Sequence, residues 1–109
     1  MKRGDVVIVA GPGDYGKPRP AIVIQSDRFL TSHASVTVCP LTTTKIDSPL
    51  FRLDLEPSRE NGLQHFSQIM IDKTMTVPSK RIGKHVGSLD DDAMLRLNRS
   101  LAVWLGLGD

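Results

Sequence analysis

The chain has little cysteine and few aromatic residues, and both shortages exclude classes of protein. Its single cysteine, Cys39, cannot form an intramolecular disulfide. Cys39 lies within an apolar, strand-like segment, which favours a small buried side chain over a reactive thiol. One Trp, one Tyr and three Phe are few for an aromatic-lined groove that binds proline-rich peptides. A disulfide framework is therefore excluded, and an SH3-type peptide-binding module is disfavoured.

Long apolar runs are absent as well. No segment approaches the roughly 20 consecutive apolar residues of a membrane-spanning helix. Residues 1–5 are mostly polar, unlike the apolar core of a signal peptide. With 109 residues, the chain is expected to form one domain, residues 1–109, that is cytoplasmic and has no membrane partner.

Neither sign of charge dominates, since the formal net charge is only +2. The distribution is uneven, however. Residues 73–85 carry Lys73, Lys80, Arg81, Lys84 and His85 and no acidic residue. This pattern is typical either of a local basic face or of a solvated loop.

Metal-binding and nucleotide-binding motifs are missing. The three histidines, at 33, 65 and 85, have neither a partner four residues away nor a neighbouring pair of cysteines. The sequence also lacks a complete phosphate-binding glycine loop and a Gly-x-Ser-x-Gly elbow. We therefore predict no metal site and no cofactor.

Short apolar runs separated by turn residues predict a mainly β protein. No helical pattern lies between these runs, which favours a small antiparallel barrel or sandwich over a βαβ fold. The predicted strands cover residues 6–10, 21–25, 36–41, 51–55, 64–71 and 74–77.

The end of the chain has the pattern of a helix. Ser88 is predicted as its N-cap, followed by three aspartates that suit the positive end of a helix dipole. Apolar residues then recur every three or four positions up to Leu105, and Gly106 is a plausible stop. On this pattern Trp104 is expected in the core.

Arg19 is the most informative residue of the first half of the chain. It lies between Pro18 and Pro20, which favour extended backbone, at the end of a connection with three glycines and three prolines in residues 11–20. A guanidinium held at a strand start beside a glycine-rich loop suggests phosphate recognition. The alternative is an ordinary surface ion pair on a rigid turn.

These groups suit metal-free cleavage of RNA, in which the ribose 2′-hydroxyl attacks the adjacent phosphorus. Such an enzyme supplies charge stabilisation and proton transfer. Arg19 can bind the phosphorane oxygens through several donors, and a threonine hydroxyl from residues 42–44 can donate to the same oxygens. His33 and His65 are candidate proton acceptors if the fold brings them near.

Three sequence blocks stand out along the chain: Arg3-Gly4-Asp5-Val6-Val7, Arg19-Pro20-Ala21-Ile22-Val23-Ile24-Gln25-Ser26-Asp27 and Cys39-Pro40-Leu41-Thr42-Thr43. In order and spacing, they resemble the opening of the MazF/PemK family of toxin endoribonucleases. The family also ends in a helix with an acidic cap, near a Leu-Gly-Leu that is present here at residues 105–107.

The resemblance implies a homodimeric, SH3-like antiparallel β-barrel of the CcdB/PemK type with a C-terminal helix. It implies a metal-independent toxin endoribonuclease that cuts single-stranded mRNA at short sequence motifs and leaves 2′,3′-cyclic phosphate and 5′-hydroxyl ends. The implied partners are a cognate antitoxin, whose acidic disordered tail occupies the RNA groove, and operator DNA only through that antitoxin.

By the same match, the catalytic arginine and threonine of the family fall on Arg19 and Thr42, with Thr43 the nearest competitor. The candidate RNA-binding residues are Tyr15, Lys17, Gln25, Thr43, Ser67 and Gln68.

The sequence departs from the family pattern in two places. Residues 14–17 stand where members often have Glu-Gln, and Tyr15 in this loop either stacks on a base or packs on the barrel. The segment of residues 68–72 lacks the arginine of the family pattern Gln-x-Arg-Thr-Ile-Asp.

The alternative function is that of a CcdB-like, non-catalytic poison of DNA gyrase. That mode depends on a terminal helix ending in Trp-Gly-Ile. Here Trp104 is followed by five residues, so the terminal pattern does not match.

Overall fold

Seven strands and one long helix make up the part of the chain that the computed structural model describes, residues 1–11 and 17–108. Short 3₁₀ turns lie at Asp27–Phe29, Ile71–Lys73 and Ser79–Arg81. The longer elements are β1 (Asp5–Val9), β2 (Arg19–Val23), β3 (Ser35–Thr42), β4 (Arg52–Leu55), β5 (Ser67–Met70), β6 (Met75–Pro78), β7 (Ile82–Ser88) and α1 (Asp91–Leu105).

All strand pairings are antiparallel, in the order β4-β5-β3-β2-β1-β7. The long strand β3 also pairs with β6 along its first half and with β5 at its end. Among the described residues, the hydrogen-bonded path does not return from β7 to β4, so the sheet is not closed. The predicted fold class, mainly antiparallel β with a C-terminal helix, is confirmed.

Apolar side chains form two separate clusters. One contains Val6, Ile22 and Leu41 together with Leu97 of α1, and the other contains Val7, Val9 and Ala21. Because successive residues of a strand point to opposite faces, β1 contributes to both clusters. This is the physical reason that its sequence is continuously β-branched rather than alternating.

The helix differs from the prediction at its start. Ser88 is the last residue of β7, paired with Asp5, so it does not cap the helix. Asp90 is the N-cap, and its carboxylate accepts a hydrogen bond from the Ala93 N–H at 2.8 Å. The predicted end is confirmed, since Gly106 is the C-cap with φ 72°. The described part of the chain contains no helix of the length and apolarity needed to cross a membrane.

The expectation for Trp104 is wrong. Its side chain is 48% exposed and tilts against Phe51, with ring centroids 5.5 Å apart. Leu97 and Leu101 occupy the buried positions of α1 instead. The apolar face of the helix thus leaves the core before its last turn.

Strand β7 was not predicted from the sequence, because residues 82–88 contain few apolar side chains. Gly87, within β7, is required by close packing: a Cβ there would lie 2.3 Å from the Glu60 carbonyl oxygen. The Ser88 N–H donates to the same carbonyl at 2.8 Å. The basic segment is therefore partly an ordered strand rather than a solvated loop.

A partly buried ion pair joins β4 to the turn after β5. Arg52 donates to Asp72 through Nε at 2.8 Å and Nη2 at 3.2 Å. Arg52 lies opposite Met70, two residues before Asp72. Its guanidinium therefore reaches Asp72, although residues 68–72 contain no arginine of their own. Hydrogen bonding from Arg52 lowers the pKa of Asp72 and raises that of Arg52.

This pair predicts acid sensitivity. A carboxyl group whose pKa is lowered by folding stabilises the protein above its ordinary pKa of about 3.9, and that contribution is lost as the pH falls through the lowered value. We expect Asp72→Asn to reduce the free energy of unfolding by about 1–2 kcal/mol at pH 7. The difference between the two proteins should shrink below about pH 4. Urea unfolding of the two proteins at pH 7 and below about pH 4 measures this difference in stability. A difference that is independent of pH would contradict a stabilising role of the Asp72 carboxylate.

Candidate active site

Arg19 opens β2 and is exposed to solvent. Its Cα pairs with that of Val9, the last residue of β1. The flanking prolines keep this strand start extended, as the sequence predicts. The guanidinium is thus carried at the start of a strand whose following residues, Ala21 to Val23, are buried.

Thr42 closes β3 and is partly buried. Its Oγ1 accepts a hydrogen bond from the Thr44 N–H at 3.1 Å. A threonine hydroxyl can also donate one hydrogen bond, so this contact orients the oxygen and leaves its hydrogen available for an acceptor.

The register of β2 and β3 relates these two residues. Their pairs are Val23 with Val38, Ile22 with Cys39, and Ala21 with Pro40. These pairs end at Ala21 and Pro40, and the same register extended by two residues would set Arg19 across from Thr42. Residues opposite each other in an antiparallel pair share a face. Because side chains alternate along a strand, Thr42 rather than the adjacent Thr43 would share the face of Arg19 on this extension.

A cavity of about 330 Å³ lies at this strand end. Of the residues that the structure describes, three cations line it, Lys17, Arg19 and Arg81, whereas no acidic residue does and Thr42 does not. None of the ion pairs found among residues 1–11 and 17–108 involves these cations. The Arg81 carbonyl accepts from the Ala10 N–H at 2.9 Å, which fixes the backbone of Arg81 beside β1. The cavity therefore suits an anion.

A second cavity of about 400 Å³ shares Pro20 with the first. Its lining includes Thr43, His65, Ser67 and Lys84. Ser67 Oγ donates to the His65 carbonyl at 3.2 Å, which ties the two residues together. His33, the other candidate proton acceptor, contacts Ser35 and lines neither cavity.

Two of the predicted RNA-binding residues have other contacts. The Gln25 amide donates to the carbonyls of Phe29 and Ser35 and accepts from the Thr37 N–H. Gln68 is 2% exposed, and its amide bonds to Ile46 and Asp54. Neither glutamine lines the two cavities around Pro20. Tyr15 lies outside the described residues.

Cys39 has no part in this site. It is buried, and burial raises the pKa of its thiol, which disfavours the reactive thiolate. Over residues 1–11 and 17–108, no group of three or more His, Cys, Asp or Glu side chains is placed to hold a metal ion.

Arg81 and Lys84 are cavity residues that the sequence reasoning did not select. The signal was present in the run of cations without acids between residues 73 and 85. The sequence alone does not show which of these cations line a cavity. Only the pairing of β7 with β1 shows which of them lie beside Arg19 and Pro20.

Comparisons with known proteins identify the family of the chain. Residues 2–105 match the family model described as PemK-like, MazF-like toxin of type II toxin-antitoxin system. The chain is 47% identical over 108 residues to "Probable endoribonuclease MazF" of Mycolicibacterium smegmatis, covering 98% of each chain. It is 27% identical to "Endoribonuclease EndoA" of Bacillus subtilis, over 100% of this chain and 97% of that protein.

Solved structures show the same fold. An endoribonuclease in complex with its cognate antitoxin, from a mycobacterial species, superposes with a TM-score of 0.83 at 25% identity, covering 100% of this chain and 98% of the other. A MazE-MazF structure from Deinococcus radiodurans gives a TM-score of 0.81 at 19% identity, over 99% and 97% of the two chains. The chain belongs to the family of PemK-like, MazF-like toxins of type II toxin-antitoxin systems.

Proposed function

We propose that this toxin is an endoribonuclease that cleaves single-stranded mRNA without a metal ion. The observation that carries the proposal is that β2 begins at Arg19 and its neighbour β3 ends at Thr42, with a cavity lined by Lys17, Arg19 and Arg81 beside the start of β2. Relatives that match nearly the whole chain are named as endoribonucleases, which supports the same activity.

In the proposed reaction, the ribose 2′-oxygen attacks the adjacent phosphorus and the bond from phosphorus to the 5′-oxygen breaks. The products are a 2′,3′-cyclic phosphate and a 5′-hydroxyl. The Arg19 guanidinium binds the phosphorane oxygens through its planar donors, and the Thr42 hydroxyl donates to one of them. The 2′-hydroxyl loses a proton and the leaving oxygen gains one. His65 is our candidate for this transfer, because it lines the adjoining cavity.

The remaining residues around the two cavities would hold the RNA backbone. Lys17 and Arg81 lie in the cavity of Arg19, whereas Lys84, Thr43 and Ser67 lie in its neighbour. Positive side chains on both sides of Pro20 can bind the phosphates that flank the scissile one. Binding through phosphates should make the affinity for RNA fall as the salt concentration rises.

A cognate antitoxin is the expected protein partner. The mycobacterial relative of known structure is an endoribonuclease bound to its own cognate antitoxin. An acidic, disordered tail of such a partner would compete with RNA for the same cations. We also propose that the toxin is a cytoplasmic homodimer and that it reaches operator DNA only through the antitoxin.

The direct test is incubation of the purified protein with RNA in excess chelator, followed by mapping of the product ends. We expect undiminished cleavage with cyclic phosphate and 5′-hydroxyl ends, because the proposed chemistry uses only side chains and the substrate hydroxyl. Loss of activity that a divalent ion restores would contradict the proposal.

Two controls sharpen this experiment. A parallel preparation of Arg19→Ala shows whether a contaminating nuclease does the cutting. Incubation of the protein with DNA gyrase and supercoiled DNA tests the alternative function, and gyrase-dependent DNA breaks in the absence of RNA cleavage would favour a CcdB-like poison.

A further inference from the structure

Gln68 occupies the middle of a polar row that crosses three strands. Its Cα lies opposite Thr42 on β3 and opposite Asp54 on β4. Directly paired residues share a face of the sheet, so the three side chains project to the same side. The apolar residue beside it, Ile69, belongs to the core on the other face.

The carboxamide of Gln68 is buried and fully paired. Its Oε1 accepts from the Ile46 N–H at 3.1 Å, and its Nε2 donates to the Ile46 carbonyl at 2.9 Å. The second hydrogen of Nε2 reaches the Asp54 carboxylate at 2.9 Å. The side chain thus pairs with Ile46 as another strand would, and anchors the connection between β3 and β4 on the sheet.

This anchor holds the segment that directly follows Thr42. The Thr44 N–H orients the Thr42 oxygen, and Gln68 fixes Ile46 only two residues later. Loss of the hydrogen bonds between Gln68 and Ile46 would release Ile46 from the sheet and loosen residues 43–46. The hydroxyl of Thr42 would then lose the contact that sets its direction.

We propose that Gln68 is a positioning residue that acts through the Thr42 hydroxyl, and not a contact for RNA. The inference rests on the proposed function, because the direction of the Thr42 hydroxyl matters only if that hydroxyl contacts the reacting phosphate. A displacement of about 1 Å at a reacting group can reduce a rate by roughly 100-fold, so a buried clamp of this kind has catalytic consequences.

The first test replaces the amide by a carboxylate of the same shape, Gln68→Glu. The variant keeps an acceptor for the Ile46 N–H but loses both donors, and it places a negative charge against Asp54 and the Ile46 carbonyl. We expect kcat to fall by about tenfold while KM stays within about twofold. Hydrogen exchange should accelerate at the amides of Thr44 and Ile46. A raised KM with unchanged kcat would instead identify an RNA contact and overturn the proposal.

A double-mutant cycle separates positioning from a general loss of stability. In a Thr42→Ala background, Gln68→Glu should lower kcat by less than about twofold, because no hydroxyl remains to be misplaced. A fall of the same tenfold in both backgrounds would overturn the proposal.

The exposed residue Asp54 provides a second, milder variant. Asp54→Ala removes one acceptor and keeps the bonds between Gln68 and Ile46, so it should fold normally and lower kcat less than Gln68→Glu does. Asp54→Asn combined with Gln68→Glu restores an amide opposite a carboxylate and should recover part of the lost rate. If neither Asp54 change alters kcat in its background, the polar row does not support Thr42 and the proposal fails.

Failure of this inference can be told from failure of the proposed function. Absence of RNA cleavage by the unaltered protein would overturn both. Cleavage by the unaltered protein with additive effects of Gln68 and Thr42 would overturn the positioning role alone.

Discussion

Replacement of Arg19 by alanine should reduce RNA cleavage by roughly 10³-fold or more. A guanidinium that stabilises charge on a transferring or cleaved phosphate is among the largest single contributors to such reactions. Arg19 is exposed at the start of β2, so its removal should leave the fold largely intact. Single-turnover cleavage of a labelled RNA, at saturating enzyme, measures the loss in the chemical step.

Two further variants serve as comparisons for Arg19→Ala. Arg19→Lys keeps the positive charge but not the planar set of donors, and it should recover only a small part of the rate. Arg99→Ala removes an exposed arginine of α1 that lines neither cavity, and it should cleave at the wild-type rate. Unaltered cutting by Arg19→Ala, with a preparation free of other nucleases, would remove the proposed mechanism.

Replacement of Thr42 by alanine should lower the cleavage rate by roughly 10- to 100-fold. The loss is smaller than for Arg19, because a neutral hydroxyl contributes a weaker hydrogen bond than a charged guanidinium. Thr42→Ser keeps the hydroxyl and should retain most of the activity. The same single-turnover assay reports both variants.

Thr43 provides the competing assignment for the catalytic hydroxyl. It follows the last residue of β3 and lines the second cavity, so Thr43→Ala should affect RNA binding more than the chemical step. If Thr43→Ala reduced the single-turnover rate more than Thr42→Ala, the roles of the two threonines would have to be exchanged.

The first half of the fold could be predicted because its signals are local. The β-branched run of residues 6–9 and the apolar run after Pro20 are typical of strands buried on both faces, and β1 and β2 contain those residues. Strand β7 could not be predicted, since residues 83–85 are exposed and carry no apolar pattern. Its formation depends on pairing with β1, which is a tertiary contact.

The candidate site also combines features that local sequence predicts with features that depend on tertiary contacts. The two prolines around Arg19 and the end of β3 at Thr42 are visible in the sequence, whereas their juxtaposition depends on the register of two strands. The sequence also presents Gln68 as one polar residue among several. Its burial follows from the contact with Ile46, which comes from a connection that the sequence alone does not place on the sheet.

The central claim is that Arg19 and Thr42 contact one and the same phosphate. The most direct measurement is a crystal structure of the protein with its mapped RNA target, made uncleavable by a single 2′-deoxynucleotide at the cut site. We expect the Arg19 guanidinium and the Thr42 Oγ1 to lie within about 3.2 Å of non-bridging oxygens of the phosphate that follows this nucleotide. A complex in which that phosphate is bound elsewhere, with Arg19 directed to solvent, would contradict the account.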